Sequence, residues 1–147
     1  MSDNETGWVT ATIGASGFRT ELSASGQSLI ADEPIAVGGT AAGPTPYDYI
    51  LAGLGACTVM TLRIYADRKK WPLEGASVKL RTSHSHEKDC ESCADEDVDI
   101  GRVERQLTLD GPLTDEQRAR LSQIADRCPV KQTLERGIKV VPSAGIP

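Results

Sequence analysis

One long stretch with the periodicity of a helix constrains the fold more than any other feature. After Thr45 and Pro46, apolar residues recur at i, i+3 and i+4 spacing until Trp71-Pro72 ends the pattern. The spacing predicts a helix over 46–69, with Thr45 as its cap and Pro46 in its first turn. A helix of that length would extend about 36 Å, which is enough to cross a whole small domain.

The centre of this predicted helix is apolar and rich in small residues. Its apolar run, 49–62, lies between Asp48 and Arg63 and is shorter than the roughly 20 residues that a membrane-spanning helix requires. The run therefore predicts a buried core helix and no membrane association. Because an interior glycine costs about 1 kcal/mol relative to alanine, Gly53 and Gly55 predict that another backbone approaches closely.

Length and charge exclude several classes of protein. A chain of 147 residues predicts one domain spanning 1–147. The net charge of −5, with no basic block, argues against binding to nucleic acid. The N-terminal segment has no pattern of a secretory signal, so we expect a cytoplasmic protein. Its four cysteines are then mostly reduced, which favours metal binding or thiol chemistry over structural disulfides.

The remaining patterns predict an α+β fold. Apolar runs separated by glycines in 7–32 indicate antiparallel strands, and period-two alternation indicates two more strands, at 78–82 and 103–109. Thr114 begins a T-x-x-Q capping box, which predicts the start of a second helix. A last apolar run, Ile138 to Val141, predicts an edge strand.

Two cysteines lie on predicted helices. Cys57, taken alone, is typical of a small hydrophobic residue on an apolar face. Cys128 follows the apolar stripe of the second helix, and Pro129 can begin a new helix with Cys128 as its N-cap. The positive helix end, together with Arg127 and Lys131, would favour the Cys128 thiolate. Local features thus favour Cys128 as the more reactive thiol.

A second cluster contains both histidines and the other two cysteines. His84, His86, Cys90 and Cys93 have ligand types and spacings that suit a tetrahedral zinc site. The many acidic residues around them would raise a thiol pKa, so this cluster favours a bound cation over a nucleophile. The alternative is a solvated loop whose thiols are free or joined in a local disulfide.

Other catalytic patterns are missing from the sequence. It contains no phosphate-binding G-x-x-x-x-G-K-[ST], no G-x-G-x-x-G after a strand and no G-x-S-x-G. A cysteine hydrolase is also disfavoured, because both histidines lie in the acidic cluster and leave Cys57 without an evident base.

Three segments together carry a family resemblance. They are G-P-T-P-Y-D-Y-I-L-A-G-L-G-A-C-T from Gly43, R-I-Y-A from Arg63 and D-R-C-P-V from Asp126. The chain resembles the OsmC/Ohr family of osmotically induced and organic-hydroperoxide-resistance proteins, and its general OsmC-like branch in particular. The resemblance implies an OsmC-like α+β fold in which antiparallel sheets wrap long central helices, and an intertwined homodimer.

The resemblance also implies roles for the two helical cysteines. Cys57 would attack an organic hydroperoxide and become a sulfenic acid, and Cys128 would resolve that acid as a disulfide, which a thiol reductant then reduces. The chemistry is sound because the O–O bond is weak and the second thiol prevents overoxidation. No cofactor is required for such a peroxidase. We follow the resemblance and assign the attack to Cys57.

One departure from the family pattern bears on whether the chain is a peroxidase or a non-catalytic binding module. The peroxidase branch has a glutamate where this chain has Tyr47, and that glutamate pairs with an N-terminal arginine, for which Arg19 is the candidate. Asp48 is adjacent but points about 100° away around the helix. Arg19, Tyr47 and Asp48 are therefore predicted supporting residues. The alternative function is a non-catalytic small-ligand-binding module with a zinc-binding or mobile His/Cys loop.

Overall fold

The computed structural model of the chain describes residues 7–82 and 101–143. Its described part is α+β with antiparallel sheets, as predicted. The chain divides into two compact units, the first formed by Met1–Ile50 with Thr82–Arg102 and the second by Leu51–Arg81 with Val103–Pro147. The single domain over 1–147 stays a prediction.

The first unit contains a three-stranded antiparallel sheet. Its strands are β1 (Val9–Ile13), β2 (Thr20–Ala24) and β3 (Gln27–Ala31), in the order β1-β2-β3. Ser25 and Gly26 connect β2 to β3 with φ angles of 50° and 76°. Two consecutive positive φ angles are what a two-residue hairpin with the right-handed strand twist requires. The predicted N-terminal strands are confirmed.

A buried carboxylate organises the loop that follows β3. Asp32 accepts hydrogen bonds from the hydroxyl and the N–H of Thr40 and from the N–H groups of Glu33 and Ala42. The Thr40 hydroxyl is the main cause of a lowered pKa for this carboxyl, although burial opposes the shift. The Asp32 N–H also donates to the Pro44 carbonyl at 3.1 Å. These bonds fix the chain that leads into the long helix.

The long helix α1 (Pro46–Lys69) has the predicted bounds. The Asp48 N–H donates to the Thr45 hydroxyl at 3.2 Å, and the Thr45 N–H donates to the Asp48 carboxylate at 3.0 Å. This reciprocal cap satisfies two N–H groups that the first helical turn leaves without partners. The predicted role of Thr45 as the cap is confirmed.

The two sides of α1 differ in burial. Its buried residues form a stripe with a spacing of four: Leu54, Thr58, Leu62 and Ala66. The opposite side carries apolar residues that stay exposed within the chain, with Met60 at 62% and Ile64 at 54%. The prediction of a buried core helix therefore holds for one stripe only. By length and composition, α1 is also long and apolar enough to cross a membrane. This is weak evidence, because the core helix of a soluble protein passes the same test.

The glycines of α1 have no other backbone against them among residues 7–82 and 101–143. A Cβ placed on Gly53 would meet no other atom within 4 Å, whereas one on Gly55 would lie 3.2 Å from the Leu80 side chain and 3.4 Å from that of Val78. Within the described part of this chain, no backbone makes the predicted close approach, and an approach by a second copy of the chain stays a prediction. Gly55 instead makes room for two apolar side chains of the neighbouring strand.

The second unit packs α1 with a hairpin and two shorter helices. Its strands are β4 (Gly75–Arg81) and β5 (Glu104–Asp110), and its helices are α2 (Asp115–Ala125) and α3 (Pro129–Arg136). Both strands alternate in burial as predicted, and the Thr114 capping box begins α2. The core is apolar and consists of Leu62, Ala66, Leu73, Leu121, Ile124 and Ala125.

The last predicted strand does not form. Ile138 to Val141 have no strand conformation, and Val140 is 91% exposed. An apolar β-branched run forms a strand only where another strand pairs with it, and none of the described strands does so. The prediction of an edge strand at 138–141 is wrong.

Candidate active site

A break between two helices places Cys128. Helix α2 ends at Ala125, and Pro129 begins α3, so Cys128 is the N-cap of α3. Proline suits this position because its missing N–H would have had no helical partner. The apolar stripe of α2 continues through Cys128, whose relative exposure is 0%. The predicted N-cap position and the core-facing side chain are both confirmed.

An arginine of the hairpin forms hydrogen bonds with the end of α2, just before Cys128. Arg105 of β5 donates to the Asp126 carboxylate at 2.8 Å and lies 3.5 Å from the Ala125 carbonyl. It occupies an inward-facing position of the strand, where the alternation alone would place an apolar residue. This contact was not predicted from the sequence, since the partner of Arg105 depends on how the hairpin and α2 pack.

Cys57 lies at the border between the two sides of α1. At 100° per residue, it falls between the buried stripe that contains Leu54 and Thr58 and the exposed apolar side that contains Met60 and Ile64. It is accordingly half-buried. Of the two helical cysteines, only Cys57 presents surface to solvent in this chain.

The two thiols lie close enough to influence each other's ionisation. Both Cys57 and Cys128 are free cysteines, and each thiol is one cause of the pKa shift of the other. The backbone amides of Lys131 and Val130, at the N-terminus of α3, also act on the Cys128 sulfur. Those amides favour the negative charge on Cys128. The structure thus brings together two residues that are 71 positions apart in the chain (128 − 57).

The thiol pKa values move in opposite directions. Burial raises the pKa of Cys57, and the neighbouring Cys128 thiol raises it further. Burial also opposes ionisation of Cys128, but the Cys57 thiol and the backbone amide of Lys131 leave the pKa of Cys128 below its usual range. The Cys128 side chain makes no capping hydrogen bond to α3. The more acidic thiol is the buried one.

Two threonines of α1 flank the thiol pair. The Thr58 hydroxyl is fully buried, donates to the Leu54 carbonyl at 2.8 Å and also lies within reach of the Cys128 sulfur. The Thr61 hydroxyl donates to the Cys57 carbonyl at 2.7 Å and lies near the Cys57 sulfur. Neither threonine was singled out from the sequence as a site residue. Thr58 could have been predicted as a neighbour of the thiols, because it is a threonine on the buried stripe and directly follows Cys57 in the chain.

The predicted supporting residues lie in the first unit. The Arg19 guanidinium forms an exposed ion pair with Glu21 at 3.2 Å. Tyr47 is half-buried in the first turn of α1, and Asp48 is exposed and belongs to the helix cap. Their supporting roles at Cys57 stay predictions.

Comparison with protein families identifies the chain. The family model of OsmC-like proteins matches residues 38–143, which include the long helix and both cysteines of the site. The chain belongs to the OsmC-like family. No curated protein matches this OsmC-like chain.

Several solved structures share this OsmC-like fold. An OsmC-like protein from Mycoplasma pneumoniae is 19% identical, with a TM-score of 0.66 over 86% of this chain and 85% of that one. A candidate osmotic stress induced and detoxification response protein from Psychrobacter arcticus is 20% identical, with a TM-score of 0.67 over 84% and 85%. An organic hydroperoxide resistance protein OsmC from Legionella pneumophila is 21% identical, with a TM-score of 0.58 over 85% of each chain.

The predicted zinc cluster falls outside the structural description of this OsmC-like protein. His84, His86, Cys90 and Cys93 all lie in 83–100, outside the described residues. Within 7–82 and 101–143, no group of three or more His, Cys, Asp or Glu residues is placed to hold a metal ion. The zinc site therefore stays a prediction.

Proposed function

We propose that the chain is a cysteine-based peroxidase that reduces organic hydroperoxides. The observation that carries the proposal is a pair of neighbouring free thiols, one half-buried and one fully buried. A peroxide that enters from solvent meets Cys57 first. Cys128, the neighbouring thiol, then reacts with the oxidised Cys57.

The reaction has two steps at the thiol pair. The Cys57 sulfur attacks the peroxide oxygen, the O–O bond breaks, and the products are a Cys57 sulfenic acid and an alcohol. The Cys128 sulfur attacks the sulfenic sulfur, which gives a disulfide and releases the oxygen as water. A thiol reductant restores both thiols. No cofactor takes part, because the electrons come from the two sulfur atoms.

Family membership and one named relative support the peroxide as substrate. The chain belongs to the OsmC-like family, and the similar Legionella pneumophila structure is that of an organic hydroperoxide resistance protein. The exposed apolar side of α1 borders Cys57 and includes Met60 and Ile64. An apolar border favours an organic peroxide over hydrogen peroxide, since only the organic substrate has apolar surface to bury.

We also propose that the active form is a homodimer. The exposed apolar side of α1 consists of small and large residues, namely Gly53, Ala56, Met60 and Ile64. Soluble monomers rarely leave such a surface uncovered, and a second copy of the chain would bury it beside Cys57.

The proposed location is the cytoplasm. The peroxidase cycle needs a supply of reduced thiols, which the cytoplasm provides.

A turnover assay tests the proposed activity. With dithiothreitol as the reductant near neutral pH, we expect the protein to consume cumene hydroperoxide with a kcat/KM at least about tenfold above that for hydrogen peroxide. Burying a group the size of a phenylalanine side chain contributes roughly 1.5–3 kcal/mol, and about 1.4 kcal/mol corresponds to a factor of ten. Consumption of both peroxides at the rate of a protein-free blank would contradict the proposal.

A further inference from the structure

The turn that carries Cys128 is held weakly by its own backbone. Helix α2 ends at Ala125 and α3 begins at Pro129. The Cys128 N–H donates to the Ala125 carbonyl at 3.4 Å, which is long for such a bond. The last carbonyls of a helix have no helical partner, and a proline has no N–H to donate. The position of Cys128 therefore depends on contacts from outside the turn.

Arg105 of β5 supplies such a contact. Its guanidinium donates to the Asp126 carboxylate at 2.8 Å and to the Ala125 carbonyl at 3.5 Å. The Ala125 carbonyl is the same oxygen that accepts the Cys128 N–H. Hydrogen bonds between ionised groups are stronger than those between neutral groups, and the Arg105 side chain is only 25% exposed. Arg105 therefore holds the two residues that lie three and two positions before Cys128.

The hairpin that bears Arg105 also contacts the helix of the other thiol. Arg105 lies directly opposite Leu80 of β4, and residues paired in this way have Cα atoms about 4.5–5.5 Å apart. The Leu80 side chain lies 3.2 Å from the place of a Cβ on Gly55, two residues before Cys57. One cross-strand pair thus contacts α1 beside Cys57 and the turn beside Cys128. The spacing between the two cysteines depends on this pair.

A second arginine joins α2 to the hairpin at a distance from the thiols. Arg118 of α2 donates to the Leu109 and Gly111 carbonyls, both at 2.8 Å. It precedes Cys128 by ten residues (128 − 118), which correspond to about 15 Å along a helix. Arg118 therefore ties the start of α2 to the end of β5, whereas Arg105 acts on the Cys128 turn itself.

We propose that Arg105 is a positioning residue for Cys128: from its place on β5, the guanidinium holds the α2–α3 turn so that the Cys128 sulfur stays buried and meets the oxidised Cys57. Arg105 acts through the backbone of the turn and not on the reacting atoms. The catalytic part of this role rests on the peroxidase function proposed above. The role also accounts for an arginine on the inward face of β5, where Leu107 and Leu109 are apolar.

The position of Cys128 decides between two fates of the Cys57 sulfenic acid. In resolution, the Cys128 sulfur forms an S–S bond to Cys57, and the sulfenic OH leaves with the thiol proton as water. In overoxidation, the sulfenic sulfur takes one oxygen from a second hydroperoxide, which leaves a sulfinic acid and an alcohol. Because a misplacement of about 1 Å can slow a reaction roughly 10²-fold, loss of Arg105 should favour the sulfinic acid.

A peroxide titration without reductant measures this partition. Parent protein, Arg105→Met and Arg118→Met receive a rising excess of cumene hydroperoxide, and mass spectrometry gives the ratio of sulfinic acid to disulfide at Cys57. Methionine keeps an apolar stem and removes the guanidinium. We expect Arg105→Met to raise the ratio at least about tenfold, less than the effect of a 1 Å misplacement. Arg118→Met, the matched control, should keep the ratio of the parent protein.

A second measurement needs no peroxide. Cys128 is fully buried, so its alkylation requires the turn to open. In reduced protein, Arg105→Met should raise the alkylation rate of Cys128 roughly tenfold, as the loss of a hydrogen bond between charged groups predicts. Arg118→Met should not raise it. Asp126→Ala removes the pair from its more exposed side and should act like Arg105→Met, which keeps the test decisive if Arg105→Met does not fold.

The outcomes separate this role from the peroxidase function. Equal ratios of sulfinic acid to disulfide in Arg105→Met, Asp126→Ala and Arg118→Met would overturn the role in resolution and leave the peroxidase function standing. Alkylation of Cys128 at the parent rate in both Arg105→Met and Asp126→Ala would overturn the placement of Cys128 by Arg105. Absence of Cys57 oxidation in the parent protein would instead overturn the peroxidase function, and the alkylation rates would still decide the placement.

Discussion

Replacing Cys57 with serine should reduce the turnover of cumene hydroperoxide by at least about 10³-fold, which is modest for the loss of a nucleophile. A serine hydroxyl is far less acidic than a thiol and cannot store the peroxide oxygen as a sulfenic acid. The measurement is steady-state peroxide consumption with dithiothreitol. Because Cys57 is half-buried at the border of two helix faces, serine should fit without disturbing α1.

A matched substitution on the same helix serves as the control. Ala52 is exposed and lies on a different side of α1 from Cys57, so Ala52→Ser introduces the same side chain away from the thiols. We expect Ala52→Ser to keep the turnover of the parent protein. Turnover in Cys57→Ser equal to that of Ala52→Ser would contradict the assignment of Cys57 as the attacking thiol.

The second large effect concerns the exposed side of α1. The double substitution Met60→Glu/Ile64→Glu should convert a dimer to a monomer, with the dimer dissociation constant raised at least about 10³-fold, or about 4 kcal/mol. Each glutamate would be buried without a partner in the proposed interface, which costs several kcal/mol per charge. Sedimentation velocity over a range of protein concentrations measures the change.

The control for this experiment carries the same added charge on another helix. Ala119 and Ser122 are exposed on α2, so Ala119→Glu/Ser122→Glu should leave the oligomeric state as it is in the parent protein. A monomeric parent protein, or a Met60→Glu/Ile64→Glu variant that sediments as a dimer, would contradict the proposed interface.

Features that depend on neighbouring residues in the chain could be predicted from the sequence. The bounds of α1 followed from the Thr45 cap and the proline after its end, and the start of α2 followed from the Thr114 capping box. The position of Cys128 followed in the same way from Pro129 and the apolar stripe before it. Caps, prolines and stripes act over a few residues, so a short stretch of sequence contains all that decides them.

Features that depend on distant parts of the chain could not be predicted in the same way. Ile138 to Val141 have the composition of a strand but no strand among the described residues pairs with them. Gly53 was predicted to lie against another backbone, and the described residues of this chain leave open space around it. The contact of Cys57 with Cys128 entered the sequence analysis through the family resemblance, because helix packing alone brings the two sulfurs together.

The central claim is that Cys57 and Cys128 form a redox couple, and its most direct test is a mapped disulfide. Fully reduced protein is treated with one equivalent of cumene hydroperoxide, its remaining thiols are blocked, and the digested peptides are identified by mass spectrometry. The account predicts a nearly stoichiometric disulfide between Cys57 and Cys128. Recovery of both residues as blocked free thiols, or of Cys57 joined to Cys90 or Cys93, would contradict it.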